Sequence, residues 1–162
     1  MIKSGIDGSY LDVSEVVETP LRWVREELHD NNIHLGFILE CLPKDRKYLL
    51  IYMVAVDYIM NQDELIALLE NLRSRLVSNG RCVIISASYD NLCGLAKVKR
   101  TAKDAVKLLL DVTPLRSRGQ FWGYMRNRKE YRFTMKRASF SDVQDGFVES
   151  AKQAIYWISA KS

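Results

Sequence analysis

The sequence predicts an α/β fold built on a mostly parallel sheet, and three observations carry that expectation. Tyr48 to Val56 (YLLIYMVAV) and Cys82 to Ala87 (CVIISA) are apolar runs without alternation, the pattern of strands covered on both faces. A helix stands between them, so strand, helix and strand form a right-handed crossover unit. Strands and helices keep alternating in both directions along the chain.

The central helix is the most sharply drawn element. Asn61 with Glu64 three residues on is an Asx form of the capping box. Leu65, Leu68, Leu69, Leu72 and Leu76 recur at the spacing of one buried stripe, and Arg73 and Arg75 favour the negative end. Ser78-Asn79-Gly80 supplies a left-handed stop before the next strand. Upstream, Thr19-Pro20 reads as a cap with proline at the first helical position, opening a helix that carries Leu21, Trp23, Val24 and Leu28 and runs to Asn31-Asn32. Ile33 to Leu39 (IHLGFIL) then reads as a strand. Downstream, Leu92 to Leu110 is a basic amphipathic helix with Leu95, Val98, Ala102, Val106 and Leu109 on its apolar side. Pro114 and Gly119 break the chain, and a second basic helix spans about Asn127 to Ala138. "FSDVQDGFV" and "AIYWISAKS" close the chain as two strands, readable as an antiparallel hairpin at the sheet edge.

At 162 residues, 48% of them apolar, the chain is long enough for one core, so a single domain over 1–162 is expected. MIKSGIDGSY holds no apolar signal region, and no apolar run reaches the roughly 18 residues a bilayer span needs, so a cytoplasmic protein without a membrane partner is expected. Cys41, Cys82 and Cys93 show no C-x-x-C spacing and read as reduced structural thiols; His29 and His34 have no ligand cluster beside them, so no metal is expected. The net charge of +4 is unevenly spread. Residues 97–137 hold 13 Lys and Arg against three acids, a net of +10, leaving −6 elsewhere. That run reads as solvated helix faces, or as a surface for nucleic acid or another acidic partner.

The order of pieces resembles one family. "YLLIYMVAVDYIMNQDELIALLENLRSRLVSNGRCVIISAS" is similar to the fourth strand, following helix and fifth strand of class I S-adenosylmethionine-dependent methyltransferases. "YLDVSEVV" resembles the end of that family's second strand, "ILECLP" the segment after its third, and "RNRKEYRFTMKRASF", "VQDGFV" and "YWISAKS" its last helix and sixth and seventh strands. The resemblance implies a three-layer, Rossmann-like sheet, mostly parallel with an antiparallel C-terminal strand, and residues 91–126 as a variable helical insert. Its cofactor would be S-adenosylmethionine. Asp12, with Val13 beside it, would accept hydrogen bonds from the ribose hydroxyls, Glu40 and Cys41 would meet the adenine, and Met53 and Val54 would face the reaction centre. Asp57 is the candidate catalytic carboxylate, with loop capping as its structural alternative; Phe121, Trp122 and Tyr124 are candidates to line an acceptor pocket.

One part of the pattern is absent. No G-x-G-x-G follows a strand, and KSGIDGSY has too little apolar sequence before its glycines to hold the family's first strand. The sheet is therefore expected to be N-terminally incomplete, its two strand groups lacking the neighbour that the family places between them and its edges open to another segment, partner chain or oligomer. Serine also stands at 139, where the last helix of the family usually turns through glycine. Two functions follow: a truncated methyltransferase domain acting on an unidentified acceptor, or an inactive methyltransferase-like scaffold that binds through its basic segment.

Overall fold

The computed structural model describes residues 12–15, 22, 25, 33–92, 94–111, 123–149 and 154–162. They fall in two compact units that divide between Arg46 and Lys47. In the first, β1 (Val13–Glu15) pairs in parallel with β2 (Ile33–Leu35), followed by a single helical turn, α1 (Ile38–Cys41). The strand expected over Ile33 to Leu39 is thus only three residues long. Gly36, at φ +140°, turns the chain out of the strand in a conformation that L side chains rarely adopt. Arg22 and Arg25 are helical, as the expected helix after Thr19-Pro20 requires; its other residues lie outside those described.

The second unit is a four-stranded sheet. In chain order it contains β3 (Tyr48–Val54), α2 (Gln62–Ser74), β4 (Leu76–Ser86), α3 (Gly94–Asp111), α4 (Arg128–Arg137), β5 (Ser141–Glu149) and β6 (Ala154–Lys161). The spatial order is β3-β4-β6-β5: β3 and β4 are parallel, and β6 runs antiparallel to both its neighbours. The C-terminal pair is the expected hairpin, with β6 inserted between β4 and β5 rather than at the edge. Among the described residues the two sheets are separate, and β3 has a strand on one side only.

Asn61 opens α2 with a complete capping box: its side chain accepts from Glu64 N–H at 2.9 Å, and the Glu64 carboxylate accepts from Asn61 N–H at 2.7 Å. Leu65, Leu68, Leu69 and Leu72 are buried as their spacing demands. The helix stops earlier than expected, at Ser74, and Leu76 belongs to β4, where it pairs with Tyr48. Leu76 is buried by the sheet, a position that helical spacing mimics. Asn79, at φ +62°, is left-handed as anticipated, but inside the irregular start of β4, and a Cβ on Gly80 would come within 2.9 Å of the Val77 carbonyl oxygen.

Helices α2 and α4 pack on each other and on one face of the sheet. That face carries Ile51, Met53, Cys82, Ile84, Tyr156 and Ile158, all buried, and Tyr131 of α4 stacks on Tyr156 with ring centroids 5.0 Å apart. The opposite face departs from expectation: Leu50, Tyr52 and Val54 are exposed, so β3 is apolar on both sides but covered on one. The apolar side of α3 is exposed too, at Leu95 (69%), Val98 (64%) and Val106. Helix α4 begins at a second capping box, Asn127 with Glu130, and ends through Ser139, whose φ of +62° is the left-handed turn for which glycine is usual. No described helix is long and apolar enough to cross a membrane, and no described group of His, Cys, Asp and Glu is arranged to hold a metal.

Candidate functional site

In open α/β sheets ligands sit beyond the carboxyl ends of the strands, which here are the loops leaving β3 and β4. Ala55 follows β3 at φ +51° and donates its N–H to the Ile85 carbonyl at 2.8 Å, turning the chain into a 3-10 turn at Asp57–Ile59. A non-glycine residue in this region is strained, and such strain concentrates where backbone placement matters. Of the residues expected here, Met53 is buried against the covered face and Val54 is exposed.

Asp57 points inward. Its side chain is fully buried, Oδ2 accepts from the Tyr131 hydroxyl at 2.6 Å, and Oδ1 has no hydrogen-bond partner. Burial and the Asp57 carboxylate push the Tyr131 pKa well above that of an ordinary phenol, so the hydroxyl stays a donor. Asp57 thereby anchors the turn to α4 through its side chain, a role other than the loop capping weighed from sequence.

Arg126 completes the cluster, and no signal in the sequence marks it. With its side chain 4% exposed, it donates from Nη1 to the Asp57 carbonyl at 3.0 Å, from Nη2 to the Met60 carbonyl at 2.6 Å and from Nε to Gln62 Oε1 at 3.1 Å. Nη1 also lies 3.7 Å from Asp57 Oδ2, which offsets the buried charge. Gln62 in turn donates to Thr134 of α4. The chain just before Arg126 is held as well: Tyr124 N–H donates to the Tyr58 carbonyl at 2.6 Å, and Arg100 of α3 donates to the Gly123 carbonyl at 2.8 Å. Gly123 sits at φ +72°, where a Cβ would come within 2.7 Å of the Tyr58 ring. Tyr124 therefore lies beside the β3 loop; Phe121 and Trp122 lie outside the described residues.

In the first unit, Asp12 stands at the amino end of β1, and its carboxylate is 2% exposed. It pairs with Arg46 at 2.7 Å and accepts from His34 Nε2 at 3.1 Å. A ribose-binding carboxylate needs an open oxygen at the carboxyl end of its strand. Asp12 as placed is engaged and at the other end, so the described residues fit the cofactor only in part. Val13 pairs with Ile33, Glu40 is exposed on α1, and Cys41 lies within α1.

No family model matches the chain, and no curated protein matches it. Solved structures do. The chain is similar to human N-acetylserotonin methyltransferase in complex with SAM, at 18% identity and TM-score 0.58 over 93% of this chain and 40% of that one. It is similar to the S-adenosylmethionine-dependent methyltransferase SibL in its apo form (14%, TM-score 0.62, 93% and 43%) and to the N-methyltransferase NodS from Bradyrhizobium japonicum (12%, TM-score 0.58, 95% and 74%). Likeness at these identities establishes the fold, that of class I methyltransferases. The chain spans 38%, 40% and 43% of the first three solved structures it matches.

Proposed function

We propose that the chain is part of an S-adenosylmethionine-dependent methyltransferase domain, with the acceptor seated over the β3 and β4 loops. One observation supports this above others: the order β3-β4-β6-β5 with a single antiparallel strand, its carboxyl-end loops cross-linked by buried polar contacts. The bound cofactor would supply a sulfonium methyl group. Transfer to an acceptor needs orientation more than a protein nucleophile, so what the chain must provide is a fixed floor. Val54 and the strained Ala55 backbone lie at that floor, with Tyr58 and Tyr124 beside it.

Titration calorimetry with S-adenosylhomocysteine tests this reading. Saturable binding is the expected result, and a folded sample that takes up no ligand overturns it for this chain. The engagement of Asp12 by Arg46 and His34 favours a second reading, a methyltransferase-like scaffold that binds an acidic partner through 97–137. RNA binding that falls steeply with salt, in a sample without cofactor affinity, is the outcome that selects it.

A further inference from the structure

We propose that Arg126 is the positioning residue of the site, the clamp that fixes the β3 loop to the β4 loop. The proposal rests on the methyltransferase reading for what the loops face, but not for the clamp itself.

The backbone of Arg126 belongs to the β4 side. It forms a parallel bridge with Ser88, and its carbonyl accepts from Tyr89 N–H at 3.0 Å. Its side chain belongs to the β3 side, where it reaches two carbonyls of the turn and the Gln62 amide at the start of α2. One residue therefore stitches together the carboxyl ends of adjacent parallel strands. Tyr124, two residues earlier, adds a backbone bond to Tyr58, so the run from Gly123 to Arg126 is laced to both loops.

The chemistry favours arginine alone. Three acceptors spread over Asp57, Met60 and Gln62 match the planar fork of a guanidinium, whose donors are fixed relative to one another. A lysine ammonium is a point charge on a flexible stem and cannot meet all three from one place. Removing the guanidinium takes the donor from the part-buried Met60 carbonyl and leaves the Asp57 carbonyl with the Met60 N–H alone, a loss the turn relieves by opening to water. A site that depends on orientation loses its floor when that happens.

Residue-resolved hydrogen exchange on the full chain, with Arg126→Lys and Arg126→Gln, separates a clamp from a generic stabiliser. In both variants the amides of Ile59, Met60, Tyr89 and Tyr124 are expected to exchange about tenfold faster or more, while Ile84 and Ile158 stay near wild type. Uniform acceleration across the unit, or full restoration by Arg126→Lys, overturns the proposal. Should both variants fail to fold, Gln62→Ala, which removes one acceptor of the guanidinium together with the bond to Thr134, decides beside Thr134→Val, which removes only the latter of these: acceleration confined to residues 57–62 and seen in Gln62→Ala alone supports the clamp, and unchanged loop exchange or equal acceleration in both overturns it. S-adenosylhomocysteine affinity provides the second arm. Equal affinity in wild type and a folded Arg126→Lys overturns the positioning role. If wild type itself binds nothing, the methyltransferase reading fails while the exchange pattern still judges the clamp.

Discussion

The two faces of the four-stranded sheet are built from similar residues and have opposite fates. On one, Ile51, Met53, Cys82, Ile84 and Ile158 are buried beneath α2 and α4; on the other, Leu50, Tyr52 and Val54 of the same strand β3 stand in the open. The difference lies in what is present to cover them, since α3 is the unit's remaining described helix and keeps Leu95, Val98 and Val106 exposed. A strand's composition therefore records the environment it is suited to, and the covering elements must be found separately. The covered face also carries the polar cluster of Asp57, Arg126 and Tyr131, so packing and site geometry rest on the same helices.

The largest effect expected from this contrast is Leu69→Ala in α2. Leu69 is fully buried, and truncating it removes transfer energy and leaves a cavity, for a loss of about 2–5 kcal/mol. Urea denaturation of the wild type and variant measures it. A loss below about 1 kcal/mol would mean that α2 is not packed on the sheet as described.

A smaller effect probes how dry the covered face is. Burial pushes the Cys82 thiol from 9.0 up to about 12, because the thiolate is poorly solvated there. The native state holds the proton that the unfolded chain releases, so this contribution is complete below about pH 9 and falls with rising pH by about 1.4 kcal/mol per unit up to about 12. Tyr131 and Tyr156, also pushed up, add to the decline from about pH 10. Stability curves between pH 9 and 10 should therefore slope downward in the wild type and be nearly flat in Cys82→Ala. Equal slopes would place water beside Cys82.

The same contrast explains what was legible in the sequence. Asn61, Glu64 and the leucines of α2 were readable because caps and stripes are local and periodic. Leu76 was misassigned because the fourth residue after Leu72 suits a helix stripe and a strand start equally, and pairing with Tyr48 decides between them. The β3 run disclosed its apolar character but not its one-sided cover. Arg126 was invisible because two of its acceptors are backbone carbonyls 66 and 69 residues away, and carbonyls carry no sequence signature. Asp12 was found as a motif, yet its engagement by Arg46, 34 residues on, had no local trace.

The smallest effect tests the open face directly. Tyr52 lies opposite Val83, is 46% exposed, and loses only a partly solvated ring when changed to threonine, a β-branched residue that also favours strands. Tyr52→Thr should therefore shift the unfolding free energy by no more than about 0.5 kcal/mol, against several for Leu69→Ala. The ratio of the two is the informative quantity, because both side chains belong to the same unit and share one unfolding transition. If Tyr52→Thr instead costs about 2 kcal/mol or more, the ring is buried in solution and something covers this face. A cost that rises with protein concentration would identify the cover as a second copy of the chain, since only association makes stability depend on concentration.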